Sequence, residues 1–400
     1  MNNDLREALK KKVSEKIDAL TGDLVAISHD IHAHPEENWV EYHAHRVLTE
    51  MISDNGVRVE RSAYDVETAF AAEVGSQGPT VAVLSEYDAL PGIGHACGHN
   101  IIAAAGLGAG LALASIAEEA GGRVRLLGTP AEEGGGGKIE MARNGAFEGV
   151  DAAMMVHPSD EDNARINALA VQHVLATYVG QAAHASMAPH LGKNALDAAV
   201  LGYMNIAALR QHILPTERIH GVFLRGGDKP NIVPKETEMD WYVRSASFES
   251  LQELKKRVAA CLEAGAHGTG CHCKLEWVKN PFADMKDNMP LLGAYAANSA
   301  QFGRVFSTEP TPWIAGASTD MGNVSYLVPS IHPMLAVAPK GVSLHTPEFA
   351  EHAISAAGTK AIVDGAKIMA MTAIDVWASA SLREQMLDEF GDGAVPEGVL

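Results

Sequence analysis

Between Ser85 and Asn100 the chain reads Ser-Glu-Tyr-Asp-Ala-Leu-Pro-Gly-Ile-Gly-His-Ala-Cys-Gly-His-Asn. Two carboxylates, two histidines and a thiol thus fall within sixteen residues. Pro91, Gly92, Gly94 and Gly98 favour turns here. The apolar run Thr80-Val-Ala-Val-Leu84 just upstream reads as a buried strand. Side chains fit for metal ligation therefore sit on a loop leaving a strand end, where open α/β sheets place their sites. His95, Cys97 and His99 recur at every second residue, so an extended loop turns all three to one side. Imidazole and thiolate suit zinc and its transition-metal neighbours, whereas Mg²⁺ and Ca²⁺ favour oxygen. The plainer reading is a polar loop that satisfies its own backbone, and a single His-x-Cys-x-His does not choose between the two.

The same design recurs along the chain. Arg123-Val-Arg-Leu-Leu-Gly128 is a second strand-like run, followed by Thr129-Pro-Ala-Glu-Glu-Gly-Gly-Gly-Gly-Lys138. Adjacent residues of an extended chain face opposite ways. Of Glu132 and Glu133, one can therefore meet a metal while the other faces a water on it; a solvated turn is the simpler account. A third apolar run, Ala152-Ala-Met-Met-Val156, ends in His157-Pro158. Near the C-terminus, Pro333-Met-Leu-Ala-Val337 leads through Pro339 and Gly341 to His345. Thr346 is placed to cap a helix there, with Pro347 in its first turn. Repeated ligand types at strand ends are harder to assign to chance than any one of them.

In combination and order these segments resemble peptidase family M20, the dinuclear metallo-carboxypeptidases and aminoacylases. The resemblance is to its amidohydrolase branch, marked by His-Ala-Cys-Gly-His, which includes aminobenzoyl-glutamate hydrolases. The version from Glu86 to Asn100 is most similar to the aminoacylase-1-like-2 dipeptidase group. It extends from about His32-Ala-His-Pro-Glu36 to His345, nearly the whole chain. The resemblance implies two divalent metal ions, zinc or manganese first, with cobalt or nickel also compatible. It implies Cys97 as a bridging ligand, His99 and His157 on one ion, and Glu133 and His345 completing the set. Glu132 matches the general base. His184, in Gly180-Gln-Ala-Ala-His-Ala-Ser186, matches a histidine that reaches a neighbouring subunit's site, so a homodimer, or a higher oligomer, is implied. Asn231 and Arg244 match substrate-contacting positions. Two departures stand near these motifs: Asn100 replaces the acid that usually ends the branch pattern, and a later Glu-Asp-Phe element is reduced to Ser318-Thr-Asp320-Met. Both are expected near the pocket and bear on substrate identity more than on metal binding.

The elements that must position these residues follow from pattern and length. Four hundred residues exceed one usual core, so two domains are expected. From about residue 36 to 171, strand-like runs alternate with helical stretches such as 101–120, which reads as an α/β sheet flanked by helices. Residues 175–279 have another rhythm: a strand into His184, a helix over 194–214, strands near 219–224 and 238–245, a helix over 250–264 and a strand at 271–277. This is a small α+β insert of four strands and two helices, matching the lid/dimerisation domain that the resemblance implies. The metal-binding catalytic domain is then discontinuous, 1–174 and 280–400, with a zinc-peptidase-like sheet. Leu5, Leu9, Val13 and Ile17 recur at helical spacing, and the tail beyond Glu389 reads as mobile.

Composition sets further bounds. The formal charge of −19 disfavours nucleic-acid and anionic-membrane partners. No apolar run approaches membrane-spanning length, and the charged first thirty residues lack a signal core. Cys97, Cys261, Cys271 and Cys273 leave an odd thiol once one is a ligand, which fits a reducing compartment. A cytoplasmic location is therefore expected. Gly134–Gly137 with Lys138 lacks the leading glycine and Ser/Thr of a phosphate loop. Gly106-Leu-Gly-Ala-Gly110 lacks dinucleotide-fingerprint spacing and reads as helix packing. Gly316-Ala-Ser-Thr-Asp320 lacks the second glycine of a nucleophile elbow.

The expected function is a metal-dependent amidohydrolase cleaving an N-acyl amino acid, dipeptide or aryl-amide conjugate by means of a metal-bridging water. Glu132 would take the water's proton. An ion and His184 would stabilise the oxyanion, and Arg244 offers a fork for a substrate carboxylate; a strand-end ion pair is the alternative for Arg244. The alternatives are hydrolytic deamination of an aromatic amine at the same site and, in another class, a non-catalytic binding or scaffold protein.

Overall fold

The computed structural model describes residues 1–306 and 317–400. Gly316 lies outside the described residues. Strand Thr80–Glu86 is buried at every position and forms the middle of a six-stranded sheet. Arg123–Thr129 and Ala152–Met154 flank it, both parallel to it. Phe70–Val74 and Glu60–Arg61 extend one side antiparallel, and Ser330–Ile331 closes the other side parallel to Ala152–Met154. A separate parallel pair, His157–Ser159 with Met334–Ala336, continues just beyond.

Alternation along the central strand explains the layers. Val81 and Val83 face one core with helices Asn3–Ala33, His99–Ala114 and Ala356–Ala378, while Ala82 and Leu84 face a second with Met141, Met321 and Val324. Helix His99–Ala114 is buried on every side and apolar from Ile101 onward, as a helix sandwiched between layers must be. Gly106 permits the close approach: a Cβ there would stand 2.4 Å from the Leu84 carbonyl oxygen. The glycine run therefore serves packing, as its spacing suggests. The helix expected over 101–120 is broken by a turn before Ala117–Ala120.

The second sheet is antiparallel, in the order His272–Phe282, Ala170–Val179, Glu236–Ser245, Arg218–Arg225. Helices Ala195–Leu209 and Phe248–Thr269 cover one face over Tyr178, Met239 and Trp241. Glu236–Ser245 shows the strict in–out alternation of a half-buried strand. The strand expected to run into His184 ends at Val179 instead. Beyond it only isolated bridges remain, and His184 sits in a loop bridged to Ile232. Edge strand Arg218–Arg225 leaves Val222, Phe223 and Leu224 exposed. The tail beyond Phe390 returns to the body: Val399 is buried, and its carbonyl accepts from Asn323 Nδ2 at 2.6 Å. No helix among the described residues is long and apolar enough to cross a membrane.

Candidate metal centre

Strand ends deliver the candidate residues to one place. Glu86 closes the central strand, and Asp88 follows in the loop. Gly94 and Gly98 then adopt φ of 63° and 74°, the left-handed region that glycine enters without steric cost. These two bends break the extended run on which the His95–Cys97–His99 alternation depends. His99 becomes the first residue of its helix, Cys97 stays on the turn before it, and His95 swings away to within 6.0 Å of the His32 ring. His95 thus leaves the cluster, and burial holds its pKa down at about 3.

Cys97, His99 and His157 bring one ligand atom each within 4.8 Å of one another, and so do Cys97, Glu133 and His345. Cys97 is common to both groups. His157 Nδ1 lies 2.7 Å from the Pro158 carbonyl oxygen, to which it donates as N–H. That fixes the tautomer and leaves Nε2 as a lone pair, 3.4 Å from Cys97 Sγ. Burial lowers the His157 pKa to about 3, so the ring stays neutral. His345 has a φ of 61° and puts Nε2 3.3 Å from Glu133 Oε1. Its backbone N–H donates to the Ala96 carbonyl at 2.9 Å, joining the C-terminal segment to the Cys97 turn. Thr346 caps helix Pro347–His352 by accepting from Phe349 N, as its position suggests.

His99 Nδ1 faces Asp88 Oδ1 at 3.2 Å, and Asp88 Oδ2 accepts from Glu133 N at 2.9 Å. Burial opposes charge on His99, but Glu86, Cys97 and Asp88 outweigh it and raise its pKa. Burial first, and then the negative charge of Glu133, pushes the Cys97 thiol well up. Glu132 is raised by burial first, then by Glu86, Glu133 and Asp320. Burial pushes Glu133 up as well, but His345 and His99 prevail and hold it below the usual carboxylate range. The adjacent acids therefore separate in character: Glu133 stays ionised beside histidines, and Glu132 sits among carboxylates.

Several partners of this cluster carry no local motif. Lys138 is fully buried and joins Glu86 Oε2 to Asp320 Oδ1, the latter at 2.7 Å. Glu41 is buried too; its Oε1 accepts from Ala131 N at 2.9 Å and Oε2 from Thr68 Oγ1 at 2.8 Å. Ala131 has a φ of 58°, an unfavourable conformation for a residue with a Cβ. Glu41 thus pins a strained backbone point one residue before Glu132. His332 packs its ring 5.5 Å from His157, with both nitrogens unpartnered. The only sequence trace of His332 is that Ile-His-Pro repeats the Val-His-Pro of residues 156–158.

A cavity of about 690 Å³ opens over the cluster. Glu132, Glu133, Cys97, His157 and His345 line it together with Arg244, Tyr242 and Phe282. Arg244 donates to Ser318 Oγ at 2.9 Å and stacks 5.5 Å over Tyr242, with no carboxylate ion pair among the described residues. His184 and Asn231 lie elsewhere, on neighbouring loops, where the Asn231 carbonyl accepts from Ala185 N at 3.0 Å. The chain's own fold does not bring them to this cavity. Asn100 is also away from it, buried with Nδ2 on Ser28 Oγ at 2.8 Å and on the Ala353 carbonyl at 3.2 Å. The expectation that Asn100 lies near the pocket is corrected here: as the second residue of a buried helix it faces the helix layer instead. Ser318 and Thr319 do line the cavity.

A mixed α/β fold with an antiparallel insert, and a buried His/Cys/carboxylate cluster below a cavity between them, define the class: a hydrolase of the metallopeptidase type. Residues 82–374 match the model of peptidase family M20/M25/M40. The chain is 40% identical to the Xaa-Arg dipeptidase of Mus musculus, over 96% of this chain and 92% of that one. It is 29% identical to a p-aminobenzoyl-glutamate hydrolase chain of Escherichia coli (strain K12), over 94% of each. Among solved structures, a putative aminohydrolase from methicillin-resistant Staphylococcus aureus matches with a TM-score of 0.75 at 20% identity, covering 92% of this chain and 99% of that one. A dinuclear metal-binding peptidase of the M20 family from Bacillus subtilis matches with a TM-score of 0.69 at 20% identity, covering 90% and 99%. The chain belongs to peptidase family M20 and is a hydrolase of amide bonds.

Proposed function

We propose that this chain binds two divalent metal ions and hydrolyses a dipeptide or N-acyl amino acid bearing a free carboxylate. The donor chemistry supports the metal reading. His99 Nε2 and Glu133 Oε1 are buried, have no hydrogen-bond partner, and lie 3.8 Å apart. Leaving such atoms unpaired costs about 1–3 kcal/mol each, and more for a charge, so a cation is the natural partner. A buried thiol raised in pKa ionises readily only against positive charge. Cys97, His99 and His157 would hold one ion, and Cys97, Glu133 and His345 the other. The sulfur and imidazole donors favour zinc, with manganese, cobalt and nickel open to supply. When bound, such ions activate water and polarise an amide carbonyl.

The chain's own residues do the rest. Glu132, outside both of those donor groups and facing the cavity, accepts the proton as water adds to the carbonyl. Its raised pKa suits a group that must then return that proton to the departing nitrogen. Arg244, braced by Ser318 and Tyr242, holds the substrate carboxylate in a planar fork. Leu90, Ile166, Val171 and Met334 give the cavity apolar walls for the remaining substrate surface.

Among the described residues, the chain's own His184 loop gives this cavity no donor, so the oxyanion is served by His184 of a second copy. Exposed Val222, Phe223 and Leu224 on the edge strand, with Val200, Leu201 and Met204 on the adjacent helix, support a homodimer through this insert. An open edge strand with an apolar flank is otherwise a liability. We assign the domains as 1–174 with 280–400, and 175–279.

The observation that carries the reading is the convergence of two three-donor groups sharing Cys97 beside Glu132. Its test is a screen of Xaa-Arg and other dipeptides, N-acetyl and N-benzoyl amino acids, and aryl-amide conjugates on metal-loaded protein, reading amine release. Turnover on none of them, by protein that holds two ions, refutes the substrate class.

A further inference from the structure

Glu86 ends the central strand with one carboxylate oxygen accounted for and the other not. Oε2 is held by Lys138 Nζ. Oε1 has no hydrogen-bond partner, although Glu86 is only 1% exposed. It lies 3.1 Å from His99 Nε2, which is likewise without a hydrogen-bond partner and fully buried. The other nitrogen of His99 is engaged by Asp88. Two buried polar atoms without a hydrogen-bond partner therefore face one interior point from adjacent directions. Glu86, His99 and Glu132 also bring ligand atoms within 4.8 Å of one another. Around that point Glu86, Asp88, Glu132, Glu133 and Asp320 are packed together, and Lys138 is the one lysine among them in the described residues. Carboxylates at this density need compensating cations.

We propose that Glu86 is a further donor to the ion held by His99, and that Lys138 is a positioning residue that fixes the carboxylate's other oxygen so that Oε1 keeps facing that ion. The inference rests on the dinuclear metal reading above. Asp320 contributes by holding Lys138 at both its ammonium and its backbone N–H, the latter at 2.9 Å. The glycine turn after Glu133 thus carries a lysine whose service is internal. A carboxylate donor braced by a lysine is available to metal without rotamer search, which lowers the entropic cost of binding.

The test uses the full chain stripped of metal and titrated with Co²⁺, against a chelator competitor, with the ligand-field absorption recorded at each step. Glu86→Leu removes the donor while leaving Lys138 paired with Asp320; Glu86→Gln keeps the shape and loses the charge. Lys138→Met frees the carboxylate. We expect Glu86→Leu to bind one of its two ions at least tenfold more weakly, with a shifted and intensified ligand-field band as one donor is lost. Glu86→Gln follows with a smaller change. Lys138→Met weakens the same ion, and its band moves in the same direction. Weaker binding with an unaltered band in Glu86→Leu makes Glu86 a partner of His99 only and overturns the proposal, as do unchanged affinity and band. Wild-type protein that takes up no cobalt overturns the dinuclear reading together with this one; two-ion uptake indifferent to Glu86 overturns this one alone.

Discussion

Glu41→Gln separates the folding cost of the site from its catalysis. Burial, reinforced by Asp88, raises Glu41 from 4.5 to about 7. The folded chain therefore binds this proton more tightly than the unfolded chain does. By linkage, stability is unaffected by Glu41 below pH 4.5, falls as pH rises between the two pKa values, and levels off above about pH 7. The shift of about 2.5 units corresponds to about 3 kcal/mol at the plateau, at about 1.4 kcal/mol per unit. Glutamine does not titrate. Its carbonyl oxygen can accept from Trp39 N and Ala131 N as Glu41 Oε1 does, and its amide can donate to Thr68 Oγ1. Urea unfolding of both metal-free proteins at a series of pH values isolates the effect of Glu41 and its coupling to Asp88, because groups that do not interact with Glu41 cancel in the difference. Glu41→Gln is expected to gain on the wild type by roughly 2 kcal/mol between about pH 5 and pH 8. A difference that stays constant across that range refutes the account of Glu41 as a carboxylate that must lose its proton inside the fold.

Other outcomes are equally direct. Glu132→Gln keeps its metal but loses about 10²–10⁴-fold in turnover on the substrate that the screen identifies; a loss under tenfold argues against a base at that position. Cys97→Ala, which strips the donor common to both groups, falls below two ions per chain by metal analysis, and unchanged occupancy removes the shared-ligand assignment. Mixing inactive Glu132→Gln with inactive His184→Ala chains restores about a quarter of full activity after random re-pairing across a two-fold interface, whereas no recovery despite proven subunit exchange places His184 outside the partner's site. Replacing Val222 and Leu224 by lysine shifts the sedimentation of the chain to that of a monomer; unchanged sedimentation moves the interface elsewhere.

Ligand types at strand ends are legible in the sequence because strands, turns and caps are local. The runs before Glu86, Glu132 and His157, the Thr346 cap and the four-stranded, two-helix insert all follow from periodicity and punctuation over a few residues. The M20 resemblance adds the order in which they cooperate. Alternation misplaces His95 because it presumes an extended chain, and Gly94 and Gly98 supply the freedom to leave it. The strand into His184 is overextended because the ladder ends at Val179 and only isolated bridges follow, at Gln181 and His184, which the residue pattern does not separate from a strand. Glu41, Lys138 and His332 escape for another reason. Their partners lie far along the chain, as with Lys138 and Asp320, and a buried charge is recognisable only when its counter-charge is known. The trace that remains is Lys138 in a glycine turn just after two acids, where a solvated lysine is the natural expectation.

The sheet closes in an order that differs from the order of the chain. Ser330–Ile331 completes the main sheet against Ala152–Met154, and His345 reaches the Cys97 turn, only after the whole insert has been made. On the ribosome, the segment carrying Cys97, His99, Glu133 and His157 must wait with its last strand position open and its cluster incomplete. Non-local closure of this kind is slow and leaves an exposed edge in the interim. Metal available during synthesis meets at most a partial set of donors. The group that includes His345 is therefore completed only after the insert, and its formation depends on how long the first half stays free of competing edges.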